Sequence, residues 1–320
     1  AYANQTVQVS IGATASDKIG LTRFETSKFM AFSKDGIKDV NLTLSGIDGY
    51  GEYKFQAISS AEFEKYGLKA VADRINAVSD LTGVSAKVLN SITFSSTVPK
   101  GTIEGLIING ITIGKVEVEA GDKNNVLVNA INKVKEQTGV EASTKDGKLT
   151  LTARDGRAMK INVASNSNKL GTTSNAQFSS ASTVIVGKLT LIRQDARDIV
   201  IALSMNDTKG TICIAGVETS GIAGAVASNG KAATVSLGNM NSGILSSTLA
   251  EAMGYFAGGF SATDQLSGVT TYYGAQAMIS ISESAQKALD RIRSDLGSVQ
   301  NQLQSTINNI SVTQVNVKSA

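Results

Sequence analysis

The amino-acid sequence predicts an α+β protein, in which one long C-terminal helix accompanies small mixed units and strand-rich segments. Three observations lead to this prediction. Several short stretches alternate polar and apolar residues, which is the pattern of strands. Two pairs of segments repeat within the chain, and one pair carries a helical spacing of apolar residues. Residues 275–318 follow a single amphipathic helical pattern.

The N-terminal part of the chain is predicted to open with a β-hairpin. Residues 6–11 and, more loosely, 18–22 alternate polar and apolar side chains, and the segment between them is rich in Gly, Ala and Ser. Further strands are predicted at 40–44 and 53–58 by the same alternation.

An internal repeat follows, with an offset of 56 residues between residues 69–87 and 125–143. In each copy the apolar residues recur at helical spacing, and the tripeptide Thr-Gly-Val stands near the end, at 82–84 and 138–140. The glycine falls where a helix end favours a left-handed residue. Each copy is therefore predicted to run strand, helix, glycine stop and strand.

A second repeat has an offset of 40 residues and relates 148–161 to 188–201. Each copy reads as two alternating strands about a short turn that contains an aspartate, Asp155 in the first copy. The two duplications predict modular α+β units. From 209 to 268 the chain is rich in Gly and poor in charge, which favours short strands and long turns over helix.

The C-terminal stretch is predicted to be one helix with coiled-coil character. It contains no Pro and a single Gly, and apolar residues follow a spacing of three and four. A helix over 275–318 would be about 66 Å long, and an apolar stripe of that length calls for a partner helix. Packing against partner helices is predicted for Ile281, Ile292, Leu296, Val299, Leu303 and Ile310. The alternative is packing against the chain's own N-terminal hairpin through Val7, Val9 and Ile11.

The composition excludes the catalytic chemistry that depends on imidazole. The 320 residues include no His, so a Ser-His-Asp triad, a Cys-His pair and an HExxH zinc site are ruled out. The single cysteine, Cys213, lies in an apolar run and is predicted to be buried. A net charge of +3 without a dense Lys/Arg cluster predicts no nucleic-acid partner. No apolar run reaches the ~18 residues of a membrane span, so no membrane partner is predicted.

Two short motifs resemble ligand-binding loops and are better interpreted as turns. Residues 110–115, Gly-Ile-Thr-Ile-Gly-Lys, have three residues between the glycines where a phosphate loop needs four. Residues 122–125 lack the oxygen spacing of a calcium loop, which predicts a solvated turn instead.

Paired carboxylates are the remaining route to acid–base chemistry. Asp195 with Asp198, and Glu117 with Glu119, are expected at alternating strand positions, where exposed charges are ordinary. No catalytic residue, cofactor or metal is therefore predicted, and the protein is not expected to be an enzyme.

Both ends of the chain resemble one family. Residues 295–320 resemble the C-terminal rod helix of bacterial flagellins, above all those of the Campylobacter and Helicobacter type, and 268–271 and 4–25 resemble the same group. Residues 110–142 are similar to the repeat inserted in the outer part of flagellins and of the filament cap protein.

The resemblance implies a structural subunit of the flagellar filament, which serves motility and is a surface antigen. It implies export through the flagellar channel to the cell exterior, polymerisation by helix bundling, and other flagellin subunits as partners. An export chaperone and the innate flagellin receptor are further expected partners. The alternatives are a flagellar cap or hook-associated protein, or an adhesin-like binding module.

The resemblance also implies a domain division and a boundary. Residues 1–35 with 268–320 are expected to form a discontinuous stem, 36–100 with 183–267 an outer domain, and 101–182 a second outer domain with the inserted repeat. The terminal polymerisation segments and N-terminal rod helices of the family are expected to lie outside this sequence, so that the chain is a truncated and monomeric fragment.

Glycosylation is expected on exposed hydroxyls of the outer domains. Asn41 fits the bacterial N-glycan sequon Asp-Val-Asn-Leu-Thr, but a subunit exported through the flagellar channel does not meet that machinery. The resemblance implies O-glycans on Ser or Thr instead.

Overall fold

The computed structural model describes residues 12–27, 29–33, 37–47, 51–163, 170, 183–205, 231–255 and 265–319. Within these residues it contains strands and helices in mixed order, and the predicted α+β class is confirmed. The strands are β1 Thr22–Thr26, β2 Met30–Ser33, β3 Val40–Ile47, β4 Gly51–Lys54, β5 Val84–Thr93, β6 Gly101–Ile103, β7 Leu106–Ile108, β8 Ile111–Ile113, β9 Val116–Val118, β10 Glu141–Lys145, β11 Lys148–Ala153, β12 Met159–Val163, β13 Thr183–Arg193, β14 Val200–Met205, β15 Lys231–Val235, β16 Ile244–Leu245 and β17 Gln265–Leu266. The helices are α1 Ser60–Tyr66, α2 Leu68–Ala77, α3 Ser79–Thr82, α4 Val126–Lys133, α5 Lys135–Thr138, α6 Leu237–Met240, α7 Ser247–Ala252 and α8 Tyr272–Ser319, with a 3₁₀ turn at Ala120–Asp122.

A ten-stranded antiparallel sheet runs through the molecule around its two longest strands, β5 and β13. The order along the main path is β10-β11-β5-β13-β12-β7-β8, and β1 and β2 also pair with β13 while β15 pairs with β1. A separate three-stranded sheet has the order β14-β3-β4. Since β5 pairs first with β13 and then with β11, one strand links two parts of the sheet.

The two copies of the repeat have the same strand register. Ala142 in β10 pairs with Leu151 in β11, and the residues at the same repeat positions, Ala86 in β5 and Leu191 in β13, also pair. The two sequence repeats therefore belong to one duplicated unit. The second copy is continuous in sequence, whereas the first is interrupted between β5 and β13 by the second copy. This nesting explains why the sequence shows two separate offsets.

An asparagine fixes the helix onto the first strand in each copy. The side chain of Asn76 donates to the carbonyl of Ala86 at 2.9 Å and accepts from its amide at 2.8 Å. Asn132 makes the same two bonds to Ala142, at 2.9 and 2.8 Å. Gly83 and Gly139 end the helical segments at φ 70°, as the sequence predicts for these two glycines.

Two local predictions are wrong. Residues 18–22 do not form a strand: the amides of Lys18 and Ile19 donate to the carbonyl of Ala15, and β1 begins only at Thr22. The Asp-containing turns do not close hairpins, because β11 pairs with β10 and β5 whereas β12 pairs with β13 and β7. Alternation marks the strands but carries no information on which strands become neighbours. The predicted strand at 40–44 lies in β3, and that at 53–58 is shorter, with β4 ending at Lys54.

The turns themselves are alike in the two copies. Asp155 accepts from the amide of Arg157 at 3.2 Å and from its Nε at 2.8 Å, and Asp195 accepts from Arg197 in the same way at 3.1 and 2.6 Å. Burial would raise the pKa of Asp195, but the bonds from Arg197 and the charge of Arg193 outweigh it and hold that pKa below its ordinary value.

Buried apolar side chains form three cores. One lies between α1–α2 and strands β3, β5, β13 and β14; a second lies between α4 and strands β5 to β12; the third joins β1, β13, β15, α6, α7 and the first turns of α8. Strand β13 contributes to all three, through Leu191, Ile185 and Ile192 respectively. The short helices α6 and α7, each capped by a serine, lie in the segment 209–268, where the sequence favoured short strands and long turns over helix.

Alanine substitutions at two glycines distinguish the cost of a left-handed backbone from the cost of a steric clash. Gly83 has φ 70° and open space where a Cβ would lie, so Gly83→Ala should cost about 1–2 kcal/mol from the left-handed backbone alone. Gly187 has φ 83°, and its Cβ would lie 2.4 Å from the carbonyl oxygen of Leu89. Gly187→Ala should cost about 3 kcal/mol or more, since a backbone clash is added. Urea unfolding of the two variants measures the difference, and equal losses would contradict it.

The Asp195 turn gives a pH-dependent contribution to the free energy of unfolding. Because the folded-state pKa lies below the ordinary 3.8, the contribution is present above pH 3.8 and is lost as the pH falls through the folded-state value. Asp195→Asn should be less stable than the unsubstituted chain at pH 7, and the gap should narrow below pH 3.8. Thermal unfolding of both proteins between pH 7 and pH 2.5 measures it; a constant gap would be inconsistent with this account.

Candidate functional site

Helix α8 has 48 residues, and its buried residues all lie between Gly274 and Ala285. Ala277, Ile281 and Ala285 are buried in the third core or beside it. The chain at Gly20 lies close against the helix, since a Cβ there would be 2.9 Å from the carbonyl oxygen of Ile281. Among the described residues of the helix, none after Ala285 is buried.

Polar contacts complete the anchor at the end of this buried part. The hydroxyl of Ser284 lies 3.0 Å from the carbonyl oxygen of Leu21 and 2.7 Å from that of Gln194. The side chain of Gln194 donates to Glu283 at 2.7 Å and accepts from Lys287 at 2.5 Å. The turn after β13 thus holds α8 from one side while β1 holds it from the other.

A buried carboxylate joins β1 to the same turn. Glu25 accepts from Nε of Arg23 at 3.0 Å and from the amide of Ile199 at 3.3 Å. Burial raises the pKa of Glu25, and the bond from Arg23 offsets only part of that effect. Arg193 pairs with Asp195 at 2.8 Å, and Arg23 pairs with Asp198 at 3.1 Å.

The six side chains predicted to pack against partner helices fall into three groups by exposure. Ile281 is fully buried in the chain's own third core. Ile292 and Val299 are half-buried, and Gly12 lies beside Ile292, with a Cβ position 3.2 Å from its Cγ1. The other three have exposures of 42% for Leu296, 43% for Leu303 and 61% for Ile310.

The exposed part of α8 carries a regular seven-residue spacing of large apolar residues. We call the set at this spacing the α8 stripe: Leu289, Leu296, Leu303, Ile310 and Val317. Ile292 and Val299 lie three residues after the first two members, which is the a/d arrangement of a coiled coil. Leu289 and Val317 were not among the predicted packing residues, although the seven-residue spacing was sufficient to predict them. Further exposed apolar side chains lie at Ile307, Val312 and Val315.

The N-terminal hairpin offered as the alternative partner, with Val7, Val9 and Ile11, lies outside the described residues, as does Cys213. The Cys213 prediction therefore stays a prediction. None of the described helices combines the length and apolar character that a bilayer crossing requires.

The polar motifs have structural roles where they are described. Asn109 and Gly110 turn the β7–β8 hairpin with positive φ, so the predicted turn is found at the start of 110–115 only, and Ile111–Ile113 form strand β8. Residues 123–125 are exposed in the turn before α4, as predicted, but Asp122 is not solvated. It is 1% exposed, and its carboxylate accepts from the amides of Leu127 and Val128, each at 3.0 Å, at the start of α4. Spacing alone could not show this, because the cap depends on a turn that brings Asp122 under the helix.

The carboxylate pairs also differ from a catalytic arrangement. Asp195 and Asp198 lie in the turn between β13 and β14, not on a strand as expected, and each is paired with an arginine. Glu117 lies exposed on β9, and Glu119 follows that strand. Within the described parts of the chain, no group of three or more His, Cys, Asp or Glu side chains is placed to hold a metal ion.

Comparison with known proteins matches two segments of the chain to family models. Residues 105–155 match the flagellin hook IN motif, and residues 279–320 match the bacterial flagellin C-terminal helical region. The first match covers most of the nested second copy, and the second covers most of α8.

Full-length comparison extends the similarity to the whole chain. The chain is 38% identical to Flagellin B of Helicobacter pylori over 333 aligned residues, and 38% identical to Flagellin A of the same species over 330. It is 36% identical to Flagellin A of Helicobacter mustelae over 336. Each alignment covers 100% of this chain but only 62%, 62% and 65% of the relative, so the chain spans less than two thirds of their length. With both segment matches and a similarity that runs from end to end, this chain belongs to the bacterial flagellin family.

Proposed function

We propose that this chain is part of a structural subunit of the bacterial flagellar filament, and that it assembles with other flagellin subunits through the α8 stripe. The observation that carries the proposal is the contrast between the two parts of α8. The first part is buried in the chain's own core, and the rest presents apolar side chains at coiled-coil spacing to solvent. The role is structural rather than catalytic.

Energetic considerations favour a partner for this part of the helix. Isolated helices gain little stability in water without tertiary packing. Each member of the stripe is 39% to 71% exposed, so a partner would bury about half of each side chain. This corresponds to roughly 1 kcal/mol per side chain, given about 1.5–3 kcal/mol for complete burial. Burial of all the stripe side chains by partner helices therefore stabilises a helix bundle.

The six predicted packing residues are accordingly divided in the proposal. Ile292, Leu296, Val299, Leu303 and Ile310 contact neighbouring helices in the filament. Ile281 instead fixes α8 to the chain's own core and so determines where the stripe points. The match of 279–320 to the flagellin C-terminal region favours a filament subunit over a cap or hook-associated protein or an adhesin-like module.

The two copies of the duplicated unit are proposed to form outer domains, with 36–100 and 183–267 in one and 101–182 in the other. The separate first and second cores support the division between the two outer domains. The third core joins β1 and the first turns of α8 to Ile192, β15, α6 and α7, so it contains side chains of both the proposed stem, 1–35 with 268–320, and the segment 183–267. In this proposal the outer domains form the antigenic surface and carry O-linked glycans. Asn41 lies within β3, paired opposite Ser204.

The location and the other partners follow from the same proposal. The protein is exported through the flagellar channel to the cell exterior. An export chaperone before assembly and the innate flagellin receptor afterwards are proposed as further partners.

The stripe can be tested in the gene that encodes this chain. Leu296→Gln combined with Leu303→Gln removes two stripe members without introducing a helix breaker. Filaments should become short or absent, and motility in soft agar should be lost, because the helix bundle loses apolar area. Electron microscopy of the cells measures filament length.

The matched control places glutamine on the opposite face of the same turns, as Ser294→Gln with Asn301→Gln. These variants should assemble normally. Equal secretion and equal thermal unfolding of all variants would exclude a folding defect. Normal filaments with the Leu296/Leu303 variant would refute the stripe as the assembly surface.

A further inference from the structure

A cleft of about 670 Å³ lies where the two copies of the duplicated unit meet the first turn of α8. Its lining comes from parts of the chain that are distant in sequence. Strands β5 and β13 form the floor, and β1, β10, β11, the residues after α7 and the start of α8 form the walls. Its size is that of a small-molecule site. The cleft is separate from the α8 stripe, since α8 contributes only residues 272–277 to it.

Two lysines lie on the sheet face that forms the floor of this cleft. Lys87 of β5 pairs opposite Thr190 of β13, and Lys188 of β13 pairs opposite Leu89 of β5. Lys87, Leu89 and Thr190 line the cleft, whereas Lys188 is buried next to them and does not line it. Residues two apart on a strand share a face, so the two lysines are diagonal neighbours on one face. Like charges so placed repel each other.

Neither lysine has an anionic partner at ion-pair distance among the described residues. Lys87 Nζ donates to the carbonyl of Gln276 at 3.4 Å, and Lys188 is only 9% exposed. Burial lowers the pKa of both amines, which Glu283 offsets in part for Lys87 and Glu251 for Lys188. A buried cation is costly unless an anion and hydrogen bonds compensate it. The floor of the cleft is therefore short of negative charge.

The walls supply a surface for an apolar or aromatic body. Tyr272 and Tyr273 line the cleft and contact each other edge to face at 5.6 Å between ring centroids. Ala142 and Ile192 add apolar surface. The remaining cation of the lining, Arg154, is already paired with Glu141.

We propose that this cleft binds a small amphiphilic organic acid. Its acidic group bonds to the ammonium group of Lys87, beside the buried Lys188, and its apolar or aromatic body packs against Tyr272 and Tyr273. The site is independent of filament assembly, since no stripe residue lines it.

The probe for this proposal is the aromatic sulfonate 1-anilinonaphthalene-8-sulfonate, with its uncharged analogue N-phenyl-1-naphthylamine as the matched control. Fluorescence titration of the folded chain should show saturable binding of the sulfonate at one site. Decanoate should displace it, while decanol at equal concentration should not. Absence of saturable binding, or equal displacement by decanol, would overturn the proposal.

Substitutions locate the bound dye. Lys87→Met should weaken sulfonate binding about tenfold or more, as expected for loss of a charged hydrogen bond, and Lys188→Met should weaken it less, because that amine lies beside the cleft. Both variants should change binding of the neutral analogue little. Lys145→Met, at an exposed site at the end of β10, should bind as the unsubstituted chain does.

The Leu296→Gln/Leu303→Gln variant should also keep its sulfonate affinity. Loss of binding in that variant, or in Lys145→Met to the same extent as in Lys87→Met, would place the dye elsewhere and refute the site. Thermal unfolding checks that each variant is folded. If a lysine variant does not fold, the comparison of decanoate with decanol on the unsubstituted chain tests whether the cleft binds an acid.

Discussion

The pairing of β5 with β13 is the interaction on which the rest of the structure depends. It closes the first copy of the duplicated unit across the point where the second copy is inserted, and β13 supplies side chains to all three cores. At the crossing, the side-chain amide of Asn90 donates to the carbonyls of Arg157 at 2.7 Å and Ile185 at 2.9 Å. The backbone of Gly187 packs directly against Leu89 and Asn90, where a Cβ has no room. Because of this close approach, the continuous second copy is inserted into the interrupted first copy, and both copies keep the same strand register.

The same strand also fixes the long helix. Ile192 lies in the core that buries Ile281, and Gln194, just beyond β13, bonds to Glu283 and Lys287. The buried part of α8 ends at Ala285, and the described side chains beyond it are half-buried or exposed. A helix of 48 residues is about 72 Å long at 1.5 Å per residue, far more than the anchor covers. Rigid attachment at one end and an apolar stripe at the other suit a subunit that joins a bundle.

Local sequence signals predicted the elements whose causes are local. The helix over 275–318, the helices of the repeat and the glycines at 83 and 139 all follow from spacing and chain conformation within a few residues. The wrongly predicted strand at 18–22 is a local turn, whereas two other failures depend on distant residues. The strands flanking Asp155 look like a hairpin, but their partners are decided by β5 and β13, which the sequence does not identify. Asp122 looked solvent-exposed because its role depends on how the chain folds back to α4.

The candidate sites divide in the same way. The stripe on α8 could be read from the sequence, and attention to the sevenfold spacing would have added Leu289 and Val317. The burial of Ile281 could not be predicted from the sequence, because the helical pattern is continuous through the buried part of α8 and beyond it. The cleft with Lys87 and Lys188 was also beyond the sequence, since its walls join residues that only the nested topology brings together.

Hydrogen exchange along α8, in the isolated chain and in assembled filaments, tests the central claim most directly. In the isolated chain, amides of 275–285 should exchange slowly and those of 289–317 quickly, because only the first group is covered by tertiary packing. In filaments, amides of 289–317 should become strongly protected. Slow exchange throughout α8 in the isolated chain, or unchanged fast exchange of 289–317 in filaments, would contradict the account.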